Sequence, residues 1–143
     1  MNKNKPKSMK LADLHVDKEF APPQDPVFME KYIAYEKGDL ALHIIMVPAV
    51  FVVPYSLEYF PEKWTPFLPF INELRQKIEK EDFKNFPYPY VYQKGRHFVV
   101  SDDYPSYYAF VESGKAWMFC KCLGEPNHPD IKVLGGPFTK KKK

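Results

Sequence analysis

The sequence predicts an α+β fold in which helices pack on a small mixed β-sheet. Two segments repeat apolar residues at helical spacing, and short segments rich in β-branched and aromatic residues lie between and after them. The chain has 143 residues, 45% of them hydrophobic, which suffices for one domain with a single core. Its 15 prolines are about twice the usual share and predict stiff connections between the elements.

Positive charge is concentrated at the two ends of the chain. Eight lysines lie there, namely Lys3, Lys5, Lys7, Lys10, Lys140, Lys141, Lys142 and Lys143. Without them, 13 basic residues oppose 18 acidic ones, so the formal charge of +3 combines an acidic body of about −5 with two basic tails. Such tails either bind nucleic-acid or membrane phosphates or only keep the chain soluble.

The sequence also predicts the organisation and location of the chain. We expect a basic flexible tail over residues 1–10, one domain over 11–124 and an irregular segment with its lysine tail over 125–143. No secretory signal is apparent, and prolines and a histidine interrupt the apolar run at 40–55, which is too short to span a bilayer. We therefore expect a cytoplasmic protein with reduced thiols and no membrane association.

The first half of the body predicts a helix between strands. Residues 11–16 suggest a short strand. The pair Asp25-Pro26 predicts a helix start, with the helix over 26–37 ending at Gly38. The apolar run at 40–47 predicts a buried strand. Residues 50–57 suggest another strand, which Pro54 restricts to a sheet edge or a bulge.

The second half predicts helix, hairpin, helix and strand. After a proline-rich loop at 58–69 around Trp64, residues 67–83 place apolar side chains on one helical face and charges at i,i+4 spacing on the other. Lys94-Gly95 marks a hairpin turn. A short helix follows Asp103 or Tyr104, and residues 117–123 predict the next strand.

The stretch from about residue 50 to 124 resembles the ParB/sulfiredoxin fold. The helix FINELRQKIEKEDF, the strand that begins at Pro89-Tyr90-Val91-Tyr92 and the turn KGRHFVV are similar to the family's elements in the same order, as are YYAFVESGK and WMFCKCLG. The family includes DNA-partitioning proteins, nucleases, ATP-dependent sulfiredoxins and a serine kinase. The resemblance implies a phosphate-binding turn at SDDYPS, residues 101–106, where a strand meets a helix.

At this turn the sequence departs from the family pattern. Asp102 matches the family's acidic residue and Ala109 its helix alanine. Asp103 stands where glycine is usual, and Pro105 and Ser106 stand where the histidine and arginine are usual. Glycine admits a close phosphate and arginine binds it with two donors, so their loss predicts a degenerate phosphate site.

Two further clusters have a functional and a structural interpretation. Asp102 and Asp103, with His97 or Glu112 nearby, are candidate metal ligands, or else they cap the following helix. Cys120 and Cys122 share one face of a strand and either hold zinc with His128 or are core thiols. We favour the structural interpretation of both and expect no cofactor and no metal.

The remaining candidates concern anion and base recognition. His43 is expected to be a hydrogen-bonded core histidine. Arg96 and His97 lie beside the hairpin turn, where they bind an anion or form a polar strand edge. The three tyrosines of the short helix, Tyr104, Tyr107 and Tyr108, stack on bases or pack in the core.

Three functions follow from these features. The first is a non-catalytic, DNA-associated binding protein on a degenerate ParB-like scaffold, which contacts nucleic acid through the eight terminal lysines, Arg96 and Tyr104. The second is a protein-binding inhibitor or adaptor module of a mobile element that uses the Trp64 loop. The third is a metal- or nucleotide-dependent nuclease or phosphotransferase centred on Asp102. Of these, we favour the first, a protein that is not an enzyme.

Overall fold

A computed structural model describes residues 25–55 and 68–140 of the chain. In these residues the fold is α+β, with three α-helices and a six-stranded mixed sheet. The helices are α1 (Pro26–Glu36), α2 (Leu68–Glu79) and α3 (Tyr104–Ser113). The strands are β1 (Leu42–Pro48), β2 (Val52–Pro54), β3 (Tyr90–Lys94), β4 (His97–Asp102), β5 (Trp117–Leu123) and β6 (Lys132–Phe138), and a 3₁₀ turn, Ala49–Phe51, precedes β2.

The strands lie in the order β2-β4-β3-β5-β1-β6. β3 is parallel to β5 and β2 to β4, whereas β4 with β3, β5 with β1 and β1 with β6 are antiparallel. The predicted hairpin is confirmed, because Lys94 pairs with His97 across a two-residue turn and Gly95 has a positive φ of 63°. Pro54 lies on the edge strand β2, as its missing N–H requires.

Side chains on the two faces of the sheet form two apolar clusters. Val91, Phe98 and Val100 contribute to the cluster that packs against α2 and α3, whereas Tyr92 and Val99 contribute to the cluster under α1. The inner face of α2 is the one that the sequence predicts, with Phe70, Ile71, Leu74 and Ile78 buried. Because both faces of the sheet are covered, apolar residues occupy the alternating strand positions that point to either face.

The helix ends follow from local sequence. Asp25 accepts hydrogen bonds from the amides of Val27 (3.0 Å) and Phe28 (3.3 Å), so the predicted start of α1 is confirmed. Gly38 and Gly114 follow α1 and α3 with positive φ angles of 82° and 74°. The left-handed region favours glycine, which explains why both helices stop there.

The expected irregular C-terminal segment is wrong at residues 132–138, which form β6. Gly135, Gly136 and Pro137 suggested a loop, but β6 is an edge strand with two register shifts against β1. Edge strands tolerate both proline and bulges. The strand predicted over residues 50–57 begins later than expected, because residues 49–51 form the 3₁₀ turn, and its residues 56 and 57 lie outside the described ranges.

Four expectations concern residues outside the described ranges. They are the flexible tail at 1–10, the strand at 11–16, the Trp64 loop and the start of the second helix at Phe67. Among the helices that the structure describes, none is long and apolar enough to cross a membrane.

Candidate functional site

The junction between β4 and α3, where the sequence places a degenerate phosphate site, is buried. Asp102 and Asp103 expose 7% and 1% of their surface, and residues 104–110 are buried as well. The amides of Ser106 and Tyr107 both donate to the carbonyl oxygen of Asp103, at 3.1 and 3.3 Å. These first-turn donors are therefore engaged within the chain and do not line an open anion pocket.

Asp103 does not cap α3 with its side chain, so the capping prediction is wrong for this residue. Its backbone is left-handed, with φ 61° and ψ 45°, whereas a capping residue such as Asp25 is extended, with φ −97° and ψ 105°. Asp102 instead uses its Oδ1 to accept the Asp103 amide at 2.9 Å. The junction therefore has the backbone shape that glycine adopts most easily, at the position where the resemblance implies a glycine.

Tyr104 lies in the core and is fully buried, so its ring cannot stack on a base. Its hydroxyl donates to the carbonyl oxygen of Val100 and accepts the amide of Tyr55 at 3.0 Å. Tyr107 and Tyr108 are buried too and pack against each other and against Tyr104. All three tyrosines therefore pack in the core cluster on the α2/α3 side of the sheet, which corrects the assignment of Tyr104 to a nucleic-acid surface.

The candidate metal ligands are not brought together. His97 begins β4 and Asp102 ends it, about 16 Å apart along an extended strand. Within residues 25–55 and 68–140, no group of three or more histidine, cysteine, aspartate or glutamate side chains could hold a metal ion. An Asp102-centred enzyme stays a prediction that no described geometry favours.

The two cysteines are buried free thiols on the α2/α3 side of the sheet, as the structural interpretation predicts. Burial raises the pKa of Cys122 to about 12 and raises that of Cys120 well above its usual value. His128 lies instead beside the hairpin turn, where its Nε2 is 3.2 Å from the Arg96 carbonyl oxygen. His43 is a hydrogen-bonded core histidine, with Nδ1 3.2 Å from the Gly124 carbonyl oxygen.

Of the residues predicted to contact nucleic acid, the structure describes Lys140 and Arg96 in addition to Tyr104. Lys140 lies 3.4 Å from a Glu36 oxygen, with its ammonium 5.4 Å from the centre of the Tyr35 ring. Arg96 is exposed in the hairpin turn, and its guanidinium lies 5.8 Å from the centre of the Phe51 ring. The other terminal lysines, Lys3, Lys5, Lys7, Lys10, Lys141, Lys142 and Lys143, lie outside the described ranges.

A buried carboxylate that the sequence does not mark as functional links α1 to the sheet. Asp25 is 4% exposed, and its Oδ2 accepts the hydroxyl of Tyr92 at 2.8 Å and the hydroxyl of Ser101. Burial, and then the hydrogen bond and negative charge of Asp25, raise the pKa of Tyr92 well above its usual value. Asp25 therefore ties the first turn of α1 to β3 and β4.

A cleft of about 650 Å³ opens beside this cluster, between the start of α1 and the hairpin. Its lining comprises residues 25–27, residues 53–55, Tyr92, Lys94, His97 and Val99. Floor and rim differ in chemistry, because the strands supply valines whereas the hairpin supplies two basic side chains. Only the period-two spacing of Tyr92 and Lys94 could have indicated this shared face in advance.

A second cavity, of about 400 Å³, lies on the α2/α3 side of the sheet. Its lining is mostly aromatic and aliphatic, with Glu81 and Lys115 among the lining residues. Trp117, at the start of β5, is 42% exposed there.

Comparisons with protein-family models, curated proteins and solved structures find no match to this chain.

Proposed function

We propose that this chain is a non-catalytic binding protein on a degenerate ParB-like scaffold, which works in the cytoplasm. The closed junction at residues 102–110 carries this proposal. Its two aspartates are buried and its first-turn amides bond within the chain, so a phosphate finds neither space nor donors there. The left-handed backbone at Asp103 supports the scaffold assignment, because the family's glycine would adopt it without strain.

DNA is the proposed partner, and the hairpin turn supplies its ordered contact. Arg96 is exposed in this turn, and Lys94 and His97 are exposed on the strand residues that flank it. Gln93 holds the turn by donating to the carbonyl oxygens of Gly95 (2.9 Å) and Asn127 (2.8 Å). A preorganised basic turn binds phosphates with little entropic cost, and the lysine tails add sequence-independent attraction.

Fluorescence anisotropy with labelled duplex and single-stranded DNA tests this proposal. At low salt the full chain should bind, and the logarithm of its affinity should fall linearly with the logarithm of salt concentration. Removal of residues 1–10 and 140–143 should flatten that dependence. Lys94→Gln with Arg96→Gln should weaken binding further, whereas Lys84→Gln, an exposed lysine on another surface, should not. Absence of binding by the full chain at low salt refutes the DNA proposal.

Protein binding is a second candidate function, favoured by the exposed Trp117 beside an apolar cavity. Interfaces concentrate their binding energy in buried tryptophan, tyrosine and arginine side chains, and Trp117 is positioned to be such an anchor. Parallel affinity captures with the wild-type chain and a Trp117→Ala chain should recover one stoichiometric partner that the variant loses. A partner retained by both chains argues against this surface.

A further inference from the structure

We propose that the 650 Å³ cleft between α1 and the hairpin binds a small amphipathic monoanion. Such a ligand has a flat or branched apolar body and one carboxylate, sulfonate or phosphodiester group. The inference goes beyond DNA binding, because it assigns a small-molecule site to the cleft. This site shares Lys94 and His97 with the proposed DNA contact but does not include Arg96. The volume lies within the range of about 300–1,000 Å³ that is typical of ligand pockets.

The apolar body of the ligand would lie on the strands. Val53 of β2, Val99 of β4 and Tyr92 of β3 belong to the same cluster and face of the sheet, and all three line the cleft. α1 covers this face only in part, so its Val27 remains exposed and forms one wall. Burial of a ring on these side chains supplies a non-directional attraction proportional to the apolar area covered.

The anionic group would lie at the hairpin end. Lys94 and His97 are directly opposite each other in the β3–β4 ladder, so their side chains leave the sheet on the same face. Both are exposed and line the cleft, and no ion pair within the described part of the chain engages Lys94. An ammonium and an imidazole N–H together can donate two hydrogen bonds to one anion.

Asp25 also lines the cleft, but both of its carboxylate oxygens already accept hydrogen bonds from the protein. Its two oxygens accept bonds from two amides at the start of α1 and from the hydroxyls of Tyr92 and Ser101. Of its two hydroxyl partners, Ser101 lies about 13 Å from His97 along β4, and Tyr92 lies about 7 Å from Lys94 along β3. The helix start further compensates the negative charge of Asp25.

Two matched fluorescent probes test the proposal on the full chain. Anilinonaphthalenesulfonate carries one sulfonate on an aromatic body, and phenylnaphthylamine has a similar body without the charge. We expect the sulfonate probe to bind at one site and to bind the double variant Lys94→Gln, His97→Gln about tenfold more weakly, the loss expected for one charge-assisted contact. The uncharged probe should respond less than twofold, because it lacks the group that these residues bind.

Control variants distinguish this site from the other surfaces. Lys115→Gln, at the second cavity, should leave the affinity for the sulfonate probe unchanged. Arg96→Gln should weaken DNA binding but not probe binding, because Arg96 does not line the cleft. The proposal is overturned if the sulfonate probe does not bind, if the double variant affects both probes equally, or if Lys115→Gln is the variant that releases it.

Discussion

Asp25 combines a local and a long-range role. As the capping residue of α1 it satisfies two backbone amides, and as a buried acceptor it bonds two hydroxyls that are 67 and 76 positions away in sequence. A buried hydroxyl that loses its acceptor is costly because water cannot replace the partner. The stability of the α1–sheet contact should therefore depend on this one carboxylate.

Replacement of Asp25 by alanine should destabilise the fold by about 3 kcal/mol, the sum of a lost helix cap and unsatisfied hydroxyls. Tyr92→Phe removes one donor without leaving an acceptor buried and unpaired, since Asp25 keeps its other bonds, and should cost about 1 kcal/mol. Urea denaturation of both single variants and the double variant measures the coupling. A loss no greater than that of Glu30→Ala, an exposed position on α1, would contradict this role.

Asp103 holds a backbone conformation that L-residues rarely adopt. Its φ of 61° brings Cβ close to the following carbonyl group, a contact that only glycine avoids. The cost arises from the contact between Cβ and the backbone, so it applies to alanine and not to glycine. Comparison of two variants that both lack the carboxylate therefore isolates it.

Asp103→Gly should be about 1 kcal/mol more stable than Asp103→Ala, because alanine retains the Cβ in the left-handed region. Inside a helix the order is reversed, with alanine favoured over glycine by roughly 0.5–1 kcal/mol. Glu112, exposed within α3, provides that control. Thermal or urea unfolding should give opposite glycine–alanine differences at the two positions, and equal signs would exclude backbone strain at Asp103.

At these positions the sequence predicts the interactions between residues that are close in sequence and misses the contacts that only the tertiary fold creates. The Asp-Pro pair at 25–26 predicts the helix cap because a capping bond spans three residues. The bonds of Asp25 to Tyr92 and Ser101 require α1 to lie across the sheet, which no local pattern encodes. The same reason explains Tyr104, whose spacing suits either stacking or packing until its neighbours are known.

Among the elements, β6 shows that glycine and proline do not always indicate a loop. Glycine and proline end central strands, but an edge strand has one unpaired side and accepts both. Gly136 has φ 107°, and a Cβ there would lie 2.8 Å from the Leu42 carbonyl oxygen. The glycine thus allows β6 to approach β1, and it is the reason that the strand forms where a loop was predicted.

Gly136→Ala should therefore destabilise the β1–β6 pairing, by about 2–3 kcal/mol for combined overpacking and left-handed strain. Gly135→Ala is the matched control, because its added Cβ would meet the Phe138 ring at 3.3 Å, a side chain that can move. Hydrogen exchange of β1 and β6 amides should accelerate in the first variant and change little in the second. Equal effects would show that the close approach does not matter.

At the scale of the molecule, the covered faces of the sheet explain why α+β could be predicted from sequence and the strand order could not. Periodicity identifies which segments are strands, but the parallel pairs β2–β4 and β3–β5 join segments separated by long connections. The same two-sided burial places both cysteines and several tyrosines where ionisation is unfavourable. Alkaline pH should then act on the whole fold through these groups.

The stability of the fold should fall as the pH rises above about 9. Burial raises the pKa of Cys122 to about 12 and that of Cys120 well above its usual value, whereas the pKa of a thiol in the unfolded chain is about 8.5. Their contribution is therefore complete below that value and is lost progressively as the pH rises toward the folded pKa, by up to about 1.4 kcal/mol per pH unit for each thiol. Tyr92, whose pKa is also raised by burial, adds to the loss above about pH 10.

Urea unfolding at pH 7.5, 9 and 10 measures how steeply the free energy of unfolding falls with pH. Cys122→Ala should start less stable but lose stability less steeply between pH 9 and 10, and a slope identical to that of the wild-type chain would show that the buried Cys122 thiol is not the cause.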